Sequence, residues 1–444
     1  MEIVLIKAAQ LILSLSLLVI IHEFGHFLFA RAFKTRVEKF YLFFDPWFAL
    51  FKVKKGDTEY GVGWLPLGGY VKISGMIDES MDKEAMKLPP QPHEFRSKKT
   101  WQRLLIMIGG VLMNFLLAFI IYIGILYAWG DQYLPTANVK YGVEVDSTGM
   151  KIGFQTGDKI LSVDNMEVEN FQKIIPTIIL DKASTVQVER EGQKMDIDIS
   201  DDDLALLIKS KGVISPRIPF DCQVDRVNKN SPASEAGLKK GDVFVNIDGQ
   251  NFEFYDEFTS YIRSHKNQKI ELAILHNNVP TTIPITVAED GTLGFYPHFS
   301  DNATNSLKFE TITYSFLESI PAGINRGITT VQDYLKQFKL IFSPKTKAYE
   351  SLGGFISIGN IFPGAWNWSS FWNMTAFLSI ILGVMNLLPI PALDGGHVMF
   401  LLFEMITGRK PGDKFLEYAQ IFGMVLLLSL VLFANGNDIF KLFK

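Results

Sequence analysis

The stretch LLVIIHEFGHFLFA, residues 17–30, places two histidines and a glutamate inside an otherwise apolar segment. His22 and His26 are four residues apart, so on a helix their side chains project from one face, one turn from each other. Both imidazoles can then reach one zinc ion, and Glu23 between them can activate the attacking water. Ionisable groups in an apolar helix are costly and are functional candidates by default. A hydrogen-bonded structural cluster is the alternative, but it does not explain this spacing.

The composition of the whole chain is more apolar than that of a usual soluble protein, which fits either an evenly apolar protein or a mixture of membrane spans and soluble domains. Of its 444 residues, 48% are hydrophobic and 20% are charged, and the mean hydropathy is +0.16. A soluble domain usually has about a quarter charged residues. The net charge of −4 provides no basic field for a polyanion. These values argue against a nucleic-acid binder and an ordinary cytosolic enzyme.

The cysteine content restricts the kind of metal site that can form. Cys222 is the only cysteine, so neither an intrachain disulfide nor a cysteine-rich zinc module is possible. Any metal must therefore be held by His, Asp or Glu.

Four apolar windows are candidates for membrane-spanning helices, which need about 20 apolar residues. They cover residues 3–33, 104–129, 371–388 and 421–434, and the last needs residues 416–419 to complete a span. The first window fits a signal peptide poorly, because its basic region is weak and no small-residue cleavage pattern follows. Lys and Arg follow the first window, precede the second and lie between the third and fourth. The positive-inside rule makes those ends cytoplasmic, with residues 130–370 on the other side.

Residues 137–300 contain a faint internal repeat of a small β-rich domain. A Gly-Asp turn and strand at 157–164 match those at 241–248, and a helical stretch and a strand pair follow in each copy. The second copy carries SPASEAGL, residues 231–238, before its turn. The arrangement resembles the bacterial PDZ domain, which takes up an extended peptide as an added strand. Two spacers that bind nothing are the alternative.

A helical pattern follows the repeat. Apolar residues recur at steps of four and three from Ile324 to Phe342, which predicts one face of a helix. The sequence leaves open whether this face lies at the outer membrane surface or packs on the repeat.

The third ligand of a catalytic zinc must come from elsewhere in the chain, since such a zinc normally has three protein ligands. The best candidate is Asp394 in NLLPIPALDGG, residues 386–396, at the cytoplasmic end of the third window. Pro389 and Pro391 stop regular helix there, and irregular backbone at membrane depth is tolerated where it lines a cavity. Taken alone, Asp394 would more often be an interfacial carboxylate. We interpret His397 as a local or supporting group.

The HEFGH motif in an N-terminal span, NLLPIPALDGG in a later span and the PDZ-like pair between them resemble the site-2 proteases, which include bacterial inner-membrane zinc metalloproteases. The resemblance covers essentially the whole chain. It implies that zinc is the cofactor, that His22, His26 and Asp394 are its ligands and that Glu23 is the catalytic base. It also implies that Asn386 contacts the substrate or stabilises the oxyanion.

The second span departs from the family pattern. Such spans often carry Gly-Pro before an Asn, whereas residues 109–114 read GGVLMN here. Asn114 is present, so no catalytic group is lost.

The segment YGVGWLPLGGYVKI, residues 60–73, resembles the membrane-associated β-hairpin loop of the same family. Its halves are strand-like around Pro66 and the following glycines. A helical substrate must be unwound before its peptide bonds reach the zinc, and an exposed strand edge can hold it extended. A surface hairpin without a role is the alternative. The predicted substrate-binding residues of this loop are Gly61, Gly63, Trp64, Gly68, Gly69 and Tyr70.

Together these inferences predict a mixed membrane protein. A four-helix transmembrane zinc metalloprotease core carries a membrane-associated β-hairpin and two tandem β-rich PDZ domains on the outer side. The predicted order is a first transmembrane helix (1–35), a cytoplasmic-side loop with the hairpin (36–103), a second helix (104–130), two PDZ domains (137–213 and 214–300), an amphipathic helix and connector (301–370), a third helix (371–397) and a fourth (416–434).

The predicted function is that of an intramembrane zinc endopeptidase in a bacterial inner membrane, cutting transmembrane segments of other membrane proteins near the cytoplasmic side. The resemblance implies regulated intramembrane proteolysis of anti-sigma factors or signal-peptide remnants already trimmed by another protease. The periplasmic PDZ pair would bind peptide C-termini or exclude untrimmed substrates. Membrane lipid is a further expected partner, and nucleic acid is not. The alternatives are a non-catalytic PDZ scaffold and a metal transporter, although the inverted repeat often found in transporters is missing.

Overall fold

The computed structural model describes residues 2–76, 89–210, 212–343, 346 and 348–443. Residues 77–88 of the predicted loop 36–103 lie outside the described residues. The chain forms two compact units. The helical unit consists of Met1–Gly130, Thr313–Phe338 and Leu352–Lys444, and the β-rich unit of Asp131–Ile312 and Lys339–Ser351.

The bounds of the regular elements follow in chain order. The helices are α1 Glu2–Ala32, α2 Thr100–Trp129, α3 Ser147–Ile152, α4 Ile174–Asp181, α5 Asp201–Lys209, α6 Pro232–Glu235, α7 Tyr255–Ser264, α8 Asp301–Asn305, α9 Phe316–Ile341, α10 Phe355–Asn360, α11 Trp368–Asn386, α12 Asp394–Thr407 and α13 Asp413–Leu442. The strands are β1 Val37–Lys55, β2 Thr58–Ile73, β3 Asp131–Tyr133, β4 Val143–Val145, β5 Lys159–Val163, β6 Thr185–Arg190, β7 Gln193–Asp198, β8 Ile214–Pro216, β9 Cys222–Val227, β10 Val243–Ile247, β11 Lys269–His276, β12 Val279–Thr286, β13 Phe295–Phe299 and β14 Glu310–Ile312.

Four described helices are long and apolar enough to cross a membrane: α1, α2, α11 and the part of α13 from Lys414 to Lys441. They fall on the four predicted windows. The last helix continues past the predicted end at residue 434. Its outward-facing apolar side chains, such as Leu432 and Phe433, are exposed in the isolated chain, as side chains that face lipid would be.

The predicted third helix, residues 371–397, is divided in the structure. Helix α11 ends at Asn386 and α12 begins at Asp394. The seven residues between them include Pro389 and Pro391, which lack the backbone N–H that a helix interior needs. Asp394 is therefore the first residue of a new helix instead of lying inside a continuous span.

The β-hairpin turns at a different place from the one expected. β1 pairs with β2 from Lys55 opposite Thr58 to Ala49 opposite Gly63, so the hairpin turn lies at residues 56 and 57. The predicted halves of segment 60–73 do not pair with each other, because β1 runs between them. Tyr41 pairs with Tyr70 and also with Gly61. The segment is strand-like as predicted, but its partner strand precedes it in the chain.

Helix α9 packs inside the helical unit. A Cβ on Gly323 would lie 2.5 Å from Cγ1 of Ile123 in α2, and Val331 and Tyr334 pack against a buried cluster formed by α2 and α11. Of the apolar face predicted from the sequence, Val331 belongs to this contact, whereas Ile324, Ile328 and Leu335 are exposed.

The β-rich unit repeats one arrangement around two separate cores. The predicted strand pairs are formed by β6 with β7 and by β11 with β12. The predicted helical stretches 171–180 and 255–264 correspond to α4 and α7. Each Gly-Asp turn carries a buried aspartate with a basic partner. Asp158 binds Arg190 through two contacts of 2.7 Å, and Asp242 lies 2.6 Å from His276. These matched pairs show that the sequence repeat is also a structural one.

The single cysteine belongs to the second of these cores. Cys222 is buried, and burial raises the pKa of its thiol to about 12. The thiol therefore stays protonated at neutral pH, which agrees with the behaviour of a buried, unreactive side chain.

Candidate active site

The HEFGH turn of α1 lies directly against α2, and glycines allow this approach. A Cβ on Gly25 would be 2.2 Å from the carbonyl oxygen of Gly109. A Cβ on Gly110 would be 2.5 Å from Nε2 of His26 and 2.7 Å from Cε1 of His22. The glycine pair that departs from the family's Gly-Pro pattern therefore makes room for both imidazoles.

Asp394, at the start of α12, meets the two histidines. Its Oδ2 is 3.1 Å from Nε2 of His22 and 3.3 Å from Nε2 of His26. The two Nε2 atoms are 3.3 Å apart. Both histidines are buried, and the Asp394 side chain is 16% exposed. Three predicted residues from two distant segments thus present one potential ligand atom each to a common point.

The triangle of these three atoms fits zinc. Ligands about 2.0–2.1 Å from a tetrahedral zinc lie about 3.3 Å from one another, and the observed edges are 3.1 Å, 3.3 Å and 3.3 Å. Oδ2 of Asp394 is buried and has no hydrogen bond of acceptable geometry to any described residue. Three atoms that bind the same cation lie this close together without a hydrogen bond between them, and the arrangement of this oxygen with the two ring nitrogens fits that case.

Groups behind the imidazoles fix their orientation. Nδ1 of His26 lies 2.9 Å from the carbonyl oxygen of Ile106, and the side-chain amide of Asn114 lies 3.1 Å from Nδ1 of His22. The Asn114 atom at this distance is Nδ2, and rotation of the amide by 180° would present its oxygen to the Nδ1 proton that a metal on Nε2 requires. Such partners hold a ligand in the correct tautomer.

The cluster opens into a cavity of about 810 Å³ in the helical unit. The predicted residues that line it are His22, Glu23, His26, Gly68, Gly69, Tyr70, Asn386 and Asp394. Nδ2 of Asn386 is 3.3 Å from Nε2 of His22, and the backbone N–H of Val71 interacts with the Glu23 carboxylate. The cavity thus brings Glu23, Asn386 and one edge of β2 to the same place as the ligand triangle.

Three predicted hairpin residues, Gly61, Gly63 and Trp64, are not among the described residues that line this cavity. A Cβ on Gly61 would be 2.3 Å from the Tyr41 ring, so Gly61 serves the contact between β1 and β2. Nε1 of Trp64 donates to the carbonyl oxygen of Pro46 at 3.0 Å. Gly61 and Trp64 therefore contribute to packing within the hairpin, and of the six predicted residues of this loop, Gly68, Gly69 and Tyr70 line the cavity.

Comparison with known proteins assigns the family. The model of peptidase family M50 matches residues 10–430. The chain belongs to peptidase family M50. This family contains the site-2 proteases, and its members are zinc metallopeptidases, so the protein is a zinc metallopeptidase of the membrane.

Relatives of similar length support this assignment to family M50. A Neisseria meningitidis protein named as a zinc metalloprotease is 29% identical over 97% of this chain and 98% of its own. The regulator of sigma-E protease RseP of Salmonella typhimurium is 27% identical over 99% of both chains. Protease RseP of Yersinia pestis is 28% identical, also over 99% of both. The similarity therefore extends over the whole M50 chain instead of one domain.

Two further positions at this M50 site could not be assigned from the sequence. The sequence has Asn114 where the family's second spans carry an Asn. Its contact with His22, however, depends on how α1 and α2 pack. Gln420 lines the cavity from α13. In the sequence, Gln420 is a neutral residue just before an apolar run. It belongs to no motif, so the sequence alone did not point to it.

Proposed function

We propose that this M50 protein is an intramembrane endopeptidase whose zinc is held by His22, His26 and Asp394. The observation that carries the proposal is the triangle of the three ligand atoms, all within 4.8 Å of one another, in a cavity that also contains Glu23. Because the two histidines lie in α1, a membrane-spanning helix, the peptide bond that is cut must reach membrane depth.

Glu23 is the proposed proton carrier. Bound zinc would polarise the scissile carbonyl and lower the pKa of water to about 7. The Glu23 carboxylate takes a proton from the attacking water and passes it to the leaving amine nitrogen. The amide of Asn386, next to His22, is placed to donate to the substrate carbonyl oxygen as it gains negative charge.

The edge of β2 is the proposed binding site for the substrate main chain. Residues 69–73 of β2 pair with β1 on one side, and they also line the cavity. An extended peptide can add to such an edge through main-chain hydrogen bonds. A transmembrane helix that unwinds here would replace part of its lost internal hydrogen bonds with bonds to β2.

The wider proposal concerns topology and substrates. We place the active site towards the cytoplasm and the two β-rich domains, interpreted as PDZ domains 137–213 and 214–300, in the periplasm of an inner-membrane protein. The clustered Lys and Arg beside the spans support this orientation. The proposed substrates are single-span anti-sigma factors or signal-peptide remnants that another protease has trimmed, and the PDZ domains would bind their new C-termini or exclude untrimmed chains.

Removal of the metal tests the proposed activity directly. The purified protein in proteoliposomes is incubated with a set of fluorogenic single-span peptides, before and after treatment with a zinc chelator. We expect cleavage to disappear with the zinc and to return when one equivalent of zinc is added, because two imidazoles and one carboxylate leave an open position for catalysis. Equal cleavage by protein shown to be free of metal would contradict the proposal.

Asn114 provides a test of the ligand assignment. We expect Asn114→Leu to weaken zinc binding by about 10–100-fold, because Nδ1 of His22 loses its acceptor. Asn114→Asp keeps an acceptor and should retain most of the affinity. Competition with a chromophoric chelator measures both, and Asn373→Leu in α11 is a control for loss of an amide, since Asn373 accepts from Arg326 in a separate contact. Equal zinc affinity in Asn114→Leu and the unsubstituted protein would contradict the role of Asn114.

A further inference from the structure

Gln420 is a buried residue of the last membrane-spanning helix, and its side chain lines two cavities. The residue is 6% exposed. It lines the active-site cavity and also an adjoining cavity of about 70 Å³ that shares His397 and Met76 with it. Its amide has no hydrogen bond to any residue in the described part of the chain. An amide that lines a cavity without a protein partner has its donors and its acceptor available to a ligand in that cavity.

Tight packing fixes the place of this amide. Gly423 lies one turn further along α13, on the same side of the helix. A Cβ on Gly423 would be 2.6 Å from the backbone nitrogen of Ala392, in the irregular segment just before Asp394. The face of α13 that carries Gln420 is therefore held against the segment that positions the third ligand. Movement of the side chain is limited to its own rotamers.

The chemistry of the cavity indicates what Gln420 would bind. An amide presents one acceptor oxygen and two N–H donors, which matches the N–H and C=O of a peptide main chain. A peptide unwound inside the membrane exposes such groups, and each one left unpaired is costly there. The backbone of β2 at Gly68–Lys72 lines the same cavity and can also pair with a main chain.

We infer that Gln420 is a substrate-binding residue that hydrogen-bonds the main chain of the unwound transmembrane segment, as the second wall of the cleft whose first wall is the β2 edge. The inference rests on the proposed intramembrane cleavage and adds a second point of main-chain recognition to it. Main-chain recognition does not depend on side chains, so one amide serves substrates of different sequence.

The test uses Gln420→Met, which keeps the length and shape of the side chain and removes its hydrogen bonds. With the full-length protein in proteoliposomes and the fluorogenic single-span peptides, we expect kcat/KM to fall about tenfold. We expect most of this loss in KM, with unchanged zinc content. In the Glu23→Gln background, binding of the same peptides followed by fluorescence anisotropy should weaken by a similar factor. Gln420→Asn, which retains the amide, should recover part of the affinity.

Gln10→Met is the matched control. Gln10 is also a buried glutamine in a membrane-spanning helix, but its Nε2 donates to the carbonyl oxygen of Pro363 at 2.9 Å and it does not line the cavity. That variant should change thermal stability and leave the KM for the peptides unaltered. Equal KM and peptide affinity in Gln420→Met and the unsubstituted protein would overturn the inference, as would a loss that Gln10→Met reproduces. Failure of the unsubstituted, zinc-loaded protein to cleave any peptide would instead count against the proposed function.

Discussion

Replacement of Glu23 by Gln is expected to abolish peptide cleavage while zinc remains bound. The carboxylate lines the cavity beside the three ligand atoms but is not one of them. An amide of the same shape preserves packing and cannot accept the proton of the attacking water. General-base catalysis contributes about 10²–10⁴ in rate, so we expect a loss in that range.

Zinc content by metal analysis and cleavage of the fluorogenic peptides, measured on the same preparation, test this expectation. Glu38→Gln is the control, because Glu38 pairs with Lys72 at 3.3 Å in the hairpin and is not a lining residue. It should retain zinc and activity. Cleavage at the normal rate by zinc-loaded Glu23→Gln protein would remove Glu23 from the mechanism. Membrane proteomics of cells carrying this variant should reveal trapped single-span fragments and so identify the physiological substrates.

Replacement of Gly110 by Ala should have the second-largest effect, although Gly110 touches neither substrate nor metal. The added Cβ would lie 2.5 Å from Nε2 of His26, a proposed ligand atom, and 2.7 Å from Cε1 of His22. Both rings must move, and the ligand triangle with edges near 3.3 Å cannot be kept. We expect zinc affinity to fall about 100-fold, by analogy with the loss of outer-sphere contacts, and cleavage to fall at least as much.

The same helix supplies a control for this substitution. A Cβ on Gly124 would meet no heavy atom within 4 Å outside its own helix backbone. Gly124→Ala should therefore leave zinc affinity unchanged and slightly favour the helix. Thermal unfolding of both variants separates loss of fold from loss of metal. Normal zinc binding by a folded Gly110→Ala protein would show that the imidazoles have more room than the structure gives them.

The local features of this protein could be predicted well because they depend on residues close together in sequence. Each apolar window became a helix, and HEFGH placed His22 and His26 on one face, because helical periodicity acts within a few turns. The Gly-Asp turns of the repeat were also recognised, since a turn is specified by a few adjacent residues. Asp394 was named as the third ligand from its motif, its proline neighbours and its side of the membrane.

Features that depend on long-range packing could not be predicted from the sequence as well. The strand character of segment 60–73 was predicted, but not that β1 runs between its halves, because strand pairing is not encoded by alternation within one strand. Gly61, Gly63 and Trp64 were grouped with Gly68–Tyr70 by proximity in sequence, yet only the latter line the cavity. Gln420 carried no motif at all.

The sequence by itself therefore determined which chemical groups are available: two imidazoles and two carboxylates, in apolar segments long enough to span a membrane. Only the tertiary structure decided that Asp394 meets His22 and His26 within 3.3 Å, that Gly110 leaves room for them and that Gln420 faces the same cavity. The physical reason is that periodicity orients side chains about one helix axis. The contact between helices depends on the volume of every side chain at the crossing, and here that volume is set by glycines in α1 and α2 and by a proline-broken segment before α12.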